Sequence, residues 1–441
     1  MQDSEKSRPY LYNEGLIWTR YACLMLGLWL LVSPLSFTTT SSLTRWNDIV
    51  VGVLLMIFGA LSLNPKRLYA PWILFFLGIW LQGAPLIFWA PQGLTYLNET
   101  LTGALVILFS TLISGIPGER VHQGAKTPPG WSYNPSSWLQ RMPVITFAFF
   151  CWLIARYMAA YQLGYLDAMW DPAFGAEGTI KVITSHLSKQ FPVSDAGLGA
   201  AVYTLETLFG CKGGEERWSS MPWIVVLFGI LVVPAGLVSI LLIISQPLIV
   251  GHWCFWCLLT AVFMLIMVAL TFDEVIAVIQ FLVQSKKRGL PFWRTLWKGG
   301  EVPITKEAPP PPSLSAPLKA LPAMYKGLSL TWNLTLTTLL GIWLMIVPSV
   351  VELKKGAQDN DFVVGALVIT FSLIAMAEVV RTLRFLVTLL AIWSLVSQFF
   401  FDNSSLASLL IHILTAVALI LFSLPRGKIR EQYGSWNRYI I

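Results

Sequence analysis

The chain has 441 residues, 56% of them hydrophobic and only 12% charged, with a mean hydropathy of +0.66. No soluble core absorbs that much apolar sequence, so the chain reads as an integral membrane protein in a lipid bilayer. Its net charge of +7 does not indicate nucleic acid, because the basic residues lie in the connections between apolar runs rather than in one patch.

Residues 1–20 are polar, mixed in charge, and read as a cytoplasmic tail. The first apolar run follows no short basic region and precedes no small-residue cleavage site, so it is expected to be retained as a span. Twelve spans are expected, at roughly 21–37, 46–63, 71–90, 98–114, 143–164, 195–211, 221–246, 251–272, 333–351, 361–378, 385–401 and 406–424. With the amino terminus inside, the inner segments hold 24 of the 30 Lys and Arg residues. Both termini are then cytoplasmic, and the start of the eighth span lies at the outer face. The twenty Trp suit the two interfaces, where the ring is apolar and the N–H stays wet.

A pattern repeats along the chain. Gly27-Leu-Trp29, Ser33-Pro34, Asn47-Asp48 and Gly52 return 51 residues later as Gly78-Ile-Trp80, Ala84-Pro85, Asn98-Glu99 and Gly103. It appears again as Gly341-Ile-Trp343, Val347-Pro348, Asn360-Asp361 and Gly365, and a worn fourth copy begins at Ile392-Trp393. Trp is expected near the bilayer surface, Pro at the end of the outgoing helix, Asn-Asp or Asn-Glu as the cap of the returning one, and the second Gly where helices approach closely. These units resemble the SPW repeat of bacterial membrane proteins, in which each copy is a pair of spans.

Two polar connections divide the chain. Residues 116–142 form a Pro-rich cytoplasmic connection, and 285–330 a basic cytoplasmic linker containing Ala308-Pro-Pro-Pro-Pro-Ser313. The expected order is a repeat region of four spans at 21–115, a four-span middle domain at 143–284, a second repeat region at 331–425 and a basic cytoplasmic tail at 426–441.

The middle domain carries the chemistry. In Gly251-His-Trp-Cys-Phe-Trp-Cys-Leu-Leu-Thr260, the three-residue spacing puts Cys254 and Cys257 on one face at a helix start, where unpaired N–H groups favour a thiolate. This is either a redox pair or two packed core cysteines. A zinc site lacks ligands, since the other cysteines are Cys23, Cys151 and Cys211 and the four His are scattered, so no metal is expected. His252 either favours the thiolate or bonds the loop, and Trp253 and Trp256 either belt the membrane or shield the sulfurs.

The Asp195-Ala-Gly-Leu-Gly199-Ala-Ala-Val-Tyr203-Thr-Leu205 stretch, Gly210-Cys211, Arg217-Trp218 and the Cys254-x-x-Cys257 helix start occur in one order. That order resembles the vitamin K epoxide reductase family over about a third of the chain. The resemblance implies an all-α polytopic protein of about twelve transmembrane helices, with a central four-helix redox bundle between SPW-type helix pairs. It implies a thiol–disulfide oxidoreductase of a bacterial inner membrane that passes electrons from a periplasmic thioredoxin-fold protein or thiol to a membrane quinone of ubiquinone or menaquinone type. In that reading Cys254 exchanges with the incoming dithiol, Cys257 faces the quinone, and Asp195, Leu198, Val202 and Tyr203 bind it.

The sequence departs from the family at three points: residues 157–194 hold no shuttle cysteine pair, Asp195 stands where the family has a quinone-bonding Asn, and Ala261 stands where many members have Tyr. The alternative is a non-catalytic membrane scaffold that retains the redox fold. Asp195 is also a candidate helix N-cap. Glu206, eleven residues on and on the same face, reads as a proton carrier or, being near the inner end, as snorkelling toward Arg217. Arg156 lies within the fifth span, for which an interfacial position is expected.

Overall fold

The computed structural model describes residues 16–36, 41–64, 66–112, 126–302, 317–351, 353–401 and 406–440. The Ala308–Ser313 proline run, most of the amino-terminal tail and residues 113–125 of the first connection lie outside the described residues. The chain is an all-α, polytopic membrane protein. Among the described residues there is no strand, and nine helices are long and apolar enough to cross a bilayer.

The first repeat region is α1 (Trp18–Ser36), α2 (Ser42–Ser62), α3 (Tyr69–Ile87) and α4 (Gly93–Leu112). Each repeat folds as a hairpin whose helices cross at the two glycines. A Cβ on Gly52 would lie 2.9 Å from the Gly27 carbonyl, and one on Gly103 2.7 Å from that of Gly78, so only glycine permits this approach. Pro34 and Pro85 lie inside the last turn rather than beyond it, because a proline near a helix end displaces few bonds and the helix runs on two residues.

The expected Asn-Asp cap is corrected. Ser41 caps α2, accepting from the Thr44 N–H at 3.2 Å, and Asn47 lies more than a turn inside the helix. There it serves the other hairpin: Trp80 Nε1 donates to Asn47 Oδ1 at 2.8 Å, and Trp29 Nε1 donates reciprocally to Asn98 Oδ1 at 2.7 Å.

The second region is α13 (Trp332–Val350), α14 (Lys355–Ile374), a 3₁₀ turn (Glu378–Leu383) continuing into α15 (Arg384–Ser397), and α16 (Leu406–Ser423). Its glycines cross in the same way, a Cβ on Gly365 meeting the Gly341 carbonyl at 2.7 Å. Trp393 bonds Asn360 at 2.9 Å, while the position matching that Asn in the fourth copy is Ile411, so the exchange is one-sided.

Between them stands a bundle of α5 (Trp138–Gln162), α7 (Asp195–Cys211), α9 (Pro222–Ser245) and α10 (Phe255–Lys287), with α6 (Ala176–Ile183) in the cap between α5 and α7 and the single turn α8 (Arg217–Ser220) before α9. The short helices α11 (Phe292–Lys298) and α12 (Pro317–Met324) lie before α13. At the end opposite the Cys pair, Arg217 forms a two-point ion pair with buried Glu274 at 2.6 and 2.5 Å and donates to the carbonyls of Phe209 and Lys212, closing the end of α7.

The basic stretch after α16 folds back under the bundle. Tyr433 is fully buried against Trp131, its hydroxyl donates to Glu378 at 3.0 Å, and its carbonyl accepts from Gln280 at 2.9 Å. Aromatic side chains in 131–133 and 433–436 supply the apolar area that a solvated tail would lack.

Candidate functional site

α9 ends in a π-helical turn, Gln246–Val250, and Gly251 reverses the chain at φ 71°, a conformation that a side chain disfavours. The chain then enters α10 with Cys254 as its cap residue. Its sulfur faces the Cys257 N–H at 3.2 Å, and its own N–H donates to Gln246 Oε1 at 3.0 Å. The two cysteines are joined as a disulfide, with Cα atoms 5.4 Å apart.

The two sulfurs have different surroundings. Cys254 is fully buried beneath the cap, whereas Cys257 lies beside Met158 and opens onto a cavity of about 380 Å³. All four bundle helices and the cap line this cavity, and its surface is mainly apolar. Asp195, Leu198, Val202 and Tyr203 meet there with Cys257 and Thr260. Leu198, Val238 and Leu242, each more than a third exposed, form the wall between α7 and α9.

Asp195 is not the N-cap. Ser194 holds that position, accepting from the Gly197 N–H at 2.9 Å, because the residue one place earlier has the extended backbone a cap needs. Asp195 Oδ1 accepts instead from Gln162 Nε2 at 2.6 Å. Gln162 Nε2 also lies 2.8 Å from the Ile183 carbonyl and from Ser188 Oγ, its two N–H bonds shared among three acceptors, so one amide ties α5, the cap and α7 together.

The cap is fastened to the Cys pair through Asp171. Oδ1 accepts from the N–H groups of Ala173 and Phe174 at 2.8 and 2.7 Å; Oδ2 accepts from the Phe255 N–H at 3.1 Å and from the Thr179 hydroxyl. Desolvation pushes this carboxyl up, but the Thr179, Phe174, Ala173 and Phe255 donors outweigh it and hold it below the usual carboxylate range. Trp256 Nε1 donates to the Trp170 carbonyl at 2.6 Å, which makes Trp256 a cap fastener. Trp253 packs on Phe174 and on Phe362 of the second repeat region.

Glu206 does not snorkel to Arg217. It is fully buried, neither carboxylate oxygen has a hydrogen-bond partner, and the Arg217 guanidinium is occupied by Glu274 and helix-end carbonyls. Arg156 is not simply interfacial either: it bonds Thr100 Oγ1 of α4 at 2.8 Å and lies over Tyr96. Cys23 and Cys151 are buried and Cys211 is exposed, all three away from the pair. Among the described residues, no cluster of His, Cys, Asp and Glu suits a metal ion.

Sequence reasoning missed Gln162, Gln246 and Asp171. Only Asp171 left a local trace, in the Asp-Pro of a turn-like segment; the two Gln residues acquire meaning from partners distant in sequence.

A cysteine pair thus stands at a helix start, capped on one side and opening onto an apolar cavity among four spans, and the family that the domain matches supports a membrane thiol oxidoreductase. Residues 142–272 match the vitamin K epoxide reductase family, and residues 17–113 and 331–425 match the SPW repeat domain. The chain thus carries a vitamin K epoxide reductase family domain between two SPW repeat domains. Comparisons with curated proteins and with solved structures gave no match.

Proposed function

We propose that the middle domain oxidises a thioredoxin-fold protein or small thiol and delivers the electrons to a membrane quinone. The observation that carries this reading is the asymmetry of the pair: Cys257 faces the cavity, and Cys254 faces the cap. An incoming thiolate attacks Cys254 Sγ, the disulfide opens to release Cys257 as a thiolate, and the second thiol of the donor resolves the mixed disulfide. Two electrons thereby reach the pair.

The cavity suits a quinone head group: its lining is largely apolar, with Asp195, Tyr203, Ser239 and Thr260 as its polar edge, and the half-exposed α7–α9 wall offers a lateral way in for a prenyl tail. When bound there, the quinone supplies an acceptor for two electrons and two protons. Asp195, Leu198, Val202 and Tyr203 would hold it, and Cys257 is the sulfur in reach. The Lys and Arg distribution supports an orientation with the Cys end outside, which in a bacterial inner membrane is the oxidising periplasm.

The test is to reduce the purified full-length protein, add quinone, and trap free thiols with a mass-tagging maleimide. Protection of Cys254 and Cys257 that depends on quinone is expected. Thiols that stay fully alkylated with quinone present would overturn the proposal. A scaffold role is the second reading, favoured by the burial of Cys254 and the lack of cysteine in 157–194.

A further inference from the structure

The two SPW domains contain a feature the redox reading does not use. Asp48 on α2 and Glu99 on α4 occupy the same place in their repeats, one residue after the Asn that bonds the other hairpin's Trp. Both are buried, at 1% and 0% exposure, and their carboxyl groups lie within hydrogen-bonding reach of each other where the hairpins meet.

The protein offers them almost nothing else. Asp48 Oδ1 and both Glu99 oxygens have no donor, and the Ser33 hydroxyl approaches Asp48 Oδ2 only at 3.4 Å. The neighbouring titratable groups are Tyr96 on α4 and Tyr165 from the cap, whose rings lie 6.1 Å apart. Arg156 of α5 comes near but is committed to Thr100 Oγ1 and the Tyr96 ring. Among the described residues, no Lys, Arg or His forms an ion pair with either acid. Two neighbouring buried carboxylates without a cation cannot both stay charged in such a place.

The second SPW domain fills the same position differently. Asp361 matches Asp48, and 51 residues later His412 stands where Glu99 stands in the first domain. Both are buried, and His412 Nε2 lies 2.8 Å from Asp361 Oδ2. Nδ1 lies 2.7 Å from the Ser408 carbonyl, which can only accept, so Nδ1 carries a hydrogen. The Nε2–Oδ2 contact therefore also needs one proton between its two atoms.

We propose that the junction of the two hairpins in each SPW domain is a proton-binding site, holding one proton between Asp48 and Glu99 in the first domain and one between Asp361 and His412 in the second. In the first domain both acids stand six residues into their helices, about 9 Å from the helix ends that share a side with Cys254. That depth places the site within reach of the aqueous face at that end.

The test is infrared difference spectroscopy of the full chain in lipid near neutral pH, wild type against the double variant Asp48→Asn/Glu99→Gln. Loss of one protonated-carboxyl band together with one carboxylate band per molecule is expected. Loss of two carboxylate bands and no protonated-carboxyl band would overturn the proposal, as would removal of the band by sodium ions at fixed pH, which would make the junction a cation site. Glu206→Gln identifies the separate band of the other unpartnered carboxyl. Should the double variant fail to fold, Glu99→His, which imports the second domain's pair, takes its place. It should remain monodisperse and exchange the protonated-carboxyl band for that of an imidazolium; retention of the original band would overturn the assignment.

Discussion

Removing the Asp171 carboxylate should open the cap over the redox pair. Of its four donors, the Ala173 and Phe174 N–H groups lie within the same loop, while the Phe255 N–H and the Thr179 hydroxyl tie the loop to α10 and α6. Hydrogen bonds to a charged acceptor contribute about 1.5–3 kcal/mol each, and the lower figure applies near the surface. Thr179 belongs to the cap, so the Phe255 bond is the one of the four that joins the cap to α10; it gives about 1.5 kcal/mol, or roughly tenfold in the open population.

The assay is the rate at which a water-soluble phosphine reduces Cys254–Cys257, read by maleimide mass-tagging after quenching. Asp171→Ala should be reduced about tenfold faster than wild type, and Asp171→Asn should fall between, because its amide oxygen still accepts. A rate for Asp171→Ala within about twofold of wild type would refute the clamp. The pH dependence follows from the depressed folded-state value of Asp171. The clamp is at full strength above the ordinary Asp value near 3.9 and is lost as pH falls through the lower folded value. The wild-type rate should therefore stay flat from about pH 8 to about pH 5 and rise only in stronger acid.

Cys254→Ser and Cys257→Ser should each abolish quinone-dependent thiol oxidation, whereas Cys23→Ala, Cys151→Ala and Cys211→Ala should keep it; oxidation surviving both Ser variants would end the redox reading. Arg217→Met strands Glu274 in the bundle and uncaps α7, and should destabilise by about 3–5 kcal/mol. Arg217→Met/Glu274→Leu should recover much of that loss in a denaturant titration. Gly52→Leu places a side chain against the Gly27 carbonyl and the Leu31 nitrogen, each 2.9 Å from the new Cβ, and should lower the melting temperature in detergent by several degrees.

Among the described residues a helix stands at each of the twelve expected places, nine of them long and apolar enough to cross a bilayer, because apolar length and repeat spacing are local properties of a chain. The glycine crossings were legible for the same reason: a small residue at a fixed register leaves its mark in the repeat. Pairing was not. Asn47 looked like a cap because Asn-Asp often begins a helix, yet its partner is an indole in the other hairpin. Glu206 and Arg217 lie on suitable turns to meet, but the contact depends on Glu274, which comes from α10. Within the redox domain, the resemblance drew attention to Asp195, Leu198, Val202, Tyr203 and Cys257, which the fold brings to one cavity. It could not reveal the Gln162 and Gln246 amides, whose importance arises only from the loops they fasten.

The fold-back of residues 430–440 bears on how the protein is made. Tyr433 and Trp436 fasten onto Trp131, Gln280, Glu378 and the Val379 carbonyl, groups from three earlier parts of the chain. All of these leave the ribosome before their partners do. Helices can insert pair by pair as they emerge, but the underside of the redox bundle must wait, half built, until the last helix has been threaded. A ribosome stalled after α16 would thus display an inserted protein with its aromatic floor still open.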